Sequence, residues 1–151
     1  MERRVRRALL AIFVLGCLGT GAELLLLGHD EKPWQWTPLG LIGAGLIVLA
    51  WHALAPARAG VRAFQALMLL FAASGLVGTF LHYRGNVEFE LEMHPEGTRW
   101  ELFRGAVTGA TPALAPGTMT LLGSIGLLYT YRHPALGRPA GLDPTTIEER
   151  T

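Results

Sequence analysis

The sequence predicts an all-α membrane protein, a four-transmembrane-helix antiparallel bundle. A small extracytoplasmic loop is expected on it, forming a β-hairpin or a strand plus an interfacial helix. Three observations carry this reading. Half of the 151 residues are hydrophobic and only 17% are charged, giving a mean hydropathy of +0.33. The apolar residues gather in four stretches near the ~20 residues that cross a ~30 Å hydrocarbon core. The arginines fall on alternate sides of those stretches. Helices this apolar around their whole circumference have no polar face to offer water, so a soluble domain of this length has no use for four of them.

The first span, 8–27, holds a single charged residue, Glu23. The run from the N-terminal arginines to Cys17 loosely resembles a lipoprotein signal, and Thr20-Gly21-Ala22 is a weak cleavage site. The chain stays apolar through Leu27, however, where a processed chain would turn polar, so the segment reads as a signal anchor. The second span, 38–55, carries no charge, and the third, 62–82, carries none after its first residue, Arg62. The fourth, 112–131, also has none, and its helix is expected to begin at Pro112 or Pro116, where a missing N–H costs little. These spans and the loop 84–111 make one membrane domain, 1–133, followed by a short cytoplasmic tail, 134–151, rich in Pro and Gly.

Orientation follows from basic residues. Arg3, Arg4, Arg6, Arg7, Arg58, Arg62, Arg132, Arg138 and Arg150 share one side with Glu2, Asp143, Glu148 and Glu149. The other side has Lys32, Arg84, Arg99 and Arg104 against Glu23, Asp30, Glu31, Glu88, Glu90, Glu92, Glu96 and Glu101. Nine bases against four acids mark the first side as cytoplasmic. Both termini are therefore expected in the cytoplasm of a bacterial-type inner membrane. Trp34, Trp36, Tyr83, Tyr129 and Tyr131 sit where interfacial anchors belong.

Lipid gives helices no hydrophobic reason to associate, so small residues should mediate close packing. Gly40 with Ala44, and Ser74 with Gly78, each put two small residues on one helical face. The short links between spans one and two and between two and three favour antiparallel neighbours.

The outer loop has its own pattern. Residues 87–93 alternate strictly, with Val87, Phe89, Leu91 and Met93 apolar and Glu88, Glu90 and Glu92 acidic, which reads as a strand. His94-Pro95-Glu96-Gly97 is a turn signal. A hairpin would pair Met93 with Thr98, Leu91 with Trp100 and Phe89 with Leu102, facing Glu92 to Arg99. Residues 99–108 read equally as a helix, because Thr98 and Glu101 have the spacing of a capping box. Trp100, Phe103 and Val107 would then share a face in the membrane interface.

Residues that could carry chemistry are sparse. Glu23, inside a span, is a functional candidate by default; His52 and His82 join it as candidates for contacting a cofactor such as a quinone. His29, His82 and His94, with nearby carboxylates, are candidates for an N/O metal site. A bis-His haem could use His52 with His133 or His29 with His82. No cofactor is favoured. Successive carboxylates of the Glu88/Glu90/Glu92 ladder would lie ~7 Å apart on a strand, too far for one ion to bind all three. A single Cys excludes an internal disulfide framework and a Cys-rich zinc site. A net charge of +1 gives no basic surface for nucleic acid. No P-loop, nucleophile elbow or HExxH motif occurs, so catalysis has no visible machinery. The expectation is a non-catalytic accessory or structural subunit of a larger membrane complex, with the bilayer and a protein partner as its surroundings. That partner would dock on the bundle face or on loop 84–111. The alternative is a small redox, quinone- or metal-handling protein with its site at the extracytoplasmic face.

Overall fold

A computed structural model describes residues 2–28, 33–55, 57–109 and 113–137. The described residues form helices only, and none of them is in a strand. Helix α1 spans Arg3–Leu26, α2 Trp36–Leu54, α3 Arg58–Met93, α4 Arg99–Thr108, α5 Gly117–Thr130 and the single turn α6 Pro134–Gly137. A 3₁₀ turn at Pro33–Gln35 leads into α2. Gly28, with φ +62°, closes α1 in the left-handed conformation that only glycine adopts without strain.

Helices α1, α2 and α3 are long and apolar enough to cross a membrane, and such a set is compatible with a multi-pass membrane protein. Their exposure fits a lipid solvent. Only 17% of the α1 span and 22% of each of the others is buried inside the molecule, and large residues such as Leu15, Ile47 and Leu76 face outward. The fourth expected span is shorter than the sequence implied. Helix α5 has 14 residues, ~21 Å, entered from Pro116, and Pro112 lies outside the described residues. Of the tail, only 134–137 is described, as α6 against α3.

The helices pack α1 on α2 and α5, and α3 on α2, α5 and α4. One core joins Phe13 and Cys17 of α1, Ile42 of α2, Phe64, Met68 and Phe71 of α3, and Met119, Leu122 and Tyr129 of α5. Phe13 lies edge-on to Phe64, with ring centroids 5.3 Å apart, and 5.9 Å from Phe71.

The closest approach is between α3 and α5. A Cβ on Gly123 would stand 2.6 Å from the Met68 carbonyl oxygen and 2.8 Å from the Ala72 nitrogen. One on Gly75 would stand 2.8 Å from the Pro116 carbonyl oxygen, and one on Gly78 2.7 Å from the Pro116 ring. Thr120 Oγ1 donates to the Ala72 carbonyl across this seam at 3.1 Å. The sequence reading named other pairs. The working register on α3 is Gly75/Gly78 rather than Ser74/Gly78, and Gly40 and Gly43 on α2 have open space where a Cβ would go.

The strand and hairpin expected at 87–102 do not form. Helix α3 continues through Met93, ~54 Å in all, and overruns the expected end of the third span. The alternation that suggested a strand also satisfies a helix, because Val87/Leu91, Glu88/Glu92 and Phe89/Met93 are each i, i+4 pairs. Arg84 bonds Glu88 at 3.0 Å and Glu90 bonds His94 at 3.2 Å, both one turn apart. A lone strand would have left its backbone groups unpaired, whereas a helix satisfies its own. The capping-box reading of 98–101 is the one realised: Thr98 Oγ1 accepts from the Glu101 N–H, and Glu101 accepts from the Thr98 N–H. The turn at His94–Gly97 stands, with the Gly97 N–H donating to the His94 carbonyl at 3.1 Å. Helix α4 is thereby folded back on the end of α3. Buried Asn86 donates to the Ala106 carbonyl at 2.9 Å, and Tyr83 packs on Phe103.

The seam predicts a graded mutational response. Gly123→Ala and Gly126→Ala each cost about 1–3 kcal/mol by overpacking. Gly123 lies at the upper end, because it meets backbone rather than the flexible Met68 side chain. Gly40→Ala stays within about 0.5 kcal/mol of the parent. Thermal midpoints in detergent check the order.

Candidate functional site

The expected candidates are dispersed. Glu23 is exposed in the last turn of α1 and, among the described residues, has no ion-pair partner. His29 lies outside the described residues, and with it the His29/His82 haem pair and one arm of the metal set. His82 is half-buried on α3, and His94 is exposed at that helix's end, bonded to Glu90. Twelve residues separate them along one helix, ~18 Å, too far to share an ion. Among the described residues, no three His, Cys, Asp or Glu side chains converge as ligands.

An open groove of ≈ 440 Å³ lies where α3 turns into α4, lined by Glu90, Leu91, His94, Glu96, Glu101 and Leu102 among others. Two of its three carboxylates are already engaged: Glu90 with His94, and Glu101 with both the N–H and the hydroxyl of Thr98. Those two bonds hold the Glu101 carboxyl below its ordinary pKa.

The opposite end of the molecule is more tightly built. It brings together His52 from the last turn of α2, Tyr129 from α5, His133 just beyond α5, and Arg6 from the first turns of α1. His52 is 91% buried, and its ring lies 5.1 Å from that of His133, edge to face. His133 also packs on Tyr129 at 5.7 Å. Gly60 at the start of α3 closes the other side: a Cβ there would come 3.2 Å from His52 Nδ1, so glycine is what lets α3 meet α2 here. Among the described residues, that buried Nδ1 has no hydrogen-bond partner.

Arg6 serves the end of α5. Its guanidinium donates to the carbonyls of Tyr129 at 2.7 Å, Arg132 at 3.4 Å and Tyr131 at 3.5 Å, and lies 5.9 Å from the Tyr129 ring centre. A helix C-terminus carries unsatisfied carbonyls and partial negative charge, and an arginine fork answers both. Arg132 adopts φ 49°, a left-handed conformation rare for a side chain with a Cβ, where the chain turns from α5 toward α6. Deeper in, Gln65 donates to Thr130 Oγ1 at 3.3 Å, and Thr130 donates to the Leu127 carbonyl at 2.8 Å.

The tautomers follow from the bonds. His133 Nδ1 accepts the Ala135 N–H at 3.2 Å, so in the neutral ring its proton sits on Nε2. Burial lowers the pKa of His133, and the neighbouring charges of Arg6 and His52 lower it further. The sequence reading paired His52 with His133 for haem, and the structure does bring them together. Their edge contact leaves no slot for a macrocycle between the rings, and the Arg6 charge beside them opposes a cation. Arg6, Gln65 and Thr130 were missed at this site. Arg6 is one of four N-terminal arginines with no local signal of its own, and Tyr129 read only as an interfacial anchor.

No family model, curated protein or solved structure matches the chain.

Removing the arginine fork tests its part in the fold. Arg6→Met should cost about 1.5–3 kcal/mol, the usual loss for hydrogen bonds to a charged group. Arg6→Lys, which keeps charge without the fork, should cost less. Chemical or thermal denaturation of the detergent-solubilised protein measures both.

Proposed function

We propose that this protein is a four-span antiparallel membrane bundle with both termini cytoplasmic, and that it is a non-catalytic accessory subunit of a larger inner-membrane assembly. The fourth span is α5 together with the segment leading into it. The arginine distribution supports the orientation. Arg6 against the end of α5 supports placing the N-terminus and the 130s on one side. The accessory role rests on one observation. The end of α3 and the whole of α4 form a helical hairpin, tied by Asn86, that keeps large apolar side chains exposed: Phe89, Leu91, Met93, Trp100 and Phe103. Trp100 and Phe103 stack on each other at 5.7 Å and are both open to their surroundings. Apolar surface beyond the spans, rimmed by charge, is the usual mark of a protein contact.

Two measurements test this reading. Cysteine labelling in a Cys17→Ser background should place Glu90→Cys and Arg138→Cys on opposite faces of the bilayer; labelling from the same face refutes the topology. Native electrophoresis of mildly solubilised membranes should show the protein in a complex larger than itself. Trp100→Ala/Phe103→Ala should shift it to a smaller species, and migration as a free monomer in both forms defeats the accessory role.

A further inference from the structure

We infer that His133, held in edge contact with His52, is a proton-binding site that keeps the segment after α5 clamped to the ends of α1 and α2 while neutral and parts it from them when protonated. The geometry supplies the reason. His52 comes from α2, His133 from beyond α5, and their rings are in edge contact at 5.1 Å. Every element around the pair presents either positive charge or no charge. Helix α1 presents Arg6, α5 presents Tyr129, α3 presents Gly60, and α6 presents the Ala135 N–H. Farther out are Arg3, Arg4, Arg7, Arg58, Arg62 and Arg132, all exposed. Among the described residues, Glu2 is the one carboxylate at this end of the molecule.

A proton on His133 is therefore poorly received. It would consume the lone pair that accepts the Ala135 N–H. The cation would then face the His52 ring, whose Nδ1 is buried against Gly60 with no hydrogen-bond partner among the described residues, and the Arg6 guanidinium, whose place is fixed by the carbonyls of α5. Moving the segment after α5 away from α1 and α2 relieves the repulsion. The direction of the pH effect follows. A histidine whose folded pKa is depressed binds fewer protons folded than unfolded, so its contribution is complete above the ordinary imidazole value. It is lost as pH falls below that value and through the depressed one. Acidification on the face bearing the arginines is the signal the site would read.

The test uses the full-length protein in mild detergent between pH 8 and pH 5. The thermal midpoint of the parent should fall on acidification by at least about 3 °C. The drop should vanish in His52→Gln/His133→Gln and persist in His82→Gln/His94→Gln. A flat parent profile, or a drop that survives in the first double variant, overturns the proposal. If that variant does not fold, ¹⁵N-histidine spectra of the parent decide. The His133 resonance titrating below the ordinary imidazole midpoint supports the site, and titration at or above it refutes the site.

Discussion

Close approach of α3 and α5 is the constraint on which the rest of the molecule depends. A helix surrounded by lipid gains little from burying leucine, since its neighbours are equally apolar. What lipid cannot supply is backbone-to-backbone contact. Gly75 and Gly123 let two helices meet main chain to main chain, Gly78 makes room for the Pro116 ring, and Thr120 bonds the Ala72 carbonyl across the join. Phe64, Met68 and Phe71, on the α3 face beside that seam, then receive Phe13 from α1 and Ile42 from α2 into one core. A methyl group added at Gly123 would press on the α3 main chain that this core is built around.

The two ends of the molecule solve the same problem differently. Where α5 ends, its last carbonyls have no partner within the helix, and Arg6 reaches from α1 to satisfy them. Where α4 begins, the N–H groups are satisfied locally by Thr98 and Glu101. The first device is long-range and ties distant segments of the chain together. The second is contained within four residues and ties nothing to anything else. Cohesion at the Arg6 end therefore depends on one guanidinium and its charge balance, while the α3–α4 hairpin holds by Asn86 and its own packing.

That difference explains what could be read from the residues alone. The apolar stretches declare themselves by composition, so α1, α2 and the membrane portion of α3 were legible with their approximate limits. The capping box at Thr98 is likewise a local signal. The run 87–93 was misleading because acids at every second position obey a period of two and also form i, i+4 sets. Only the absence of a pairing strand, and the gain from extending an existing helix, separates the two outcomes. Small residues were visible in every span, but sequence does not say which side of an apolar helix faces protein. Gly40 and Gly43 thus looked as useful as Gly75 and Gly78, and the structure leaves them open.

His52 and His133 were noticeable as polar residues at two span ends, and their pairing was one reading among several. Arg6 was not noticeable, since Arg3, Arg4 and Arg7 make the same contribution to topology. Its role comes from a contact more than 120 residues away in sequence. Here the rule that orients the chain and the bond that closes the fold draw on the same residue type. Arginines kept on one side of a membrane are also on hand to cap the helices that end there. His133 packs beside Arg6 and has its pKa lowered by burial and then by that charge, so the arginine that closes the fold also disfavours a proton on its neighbour.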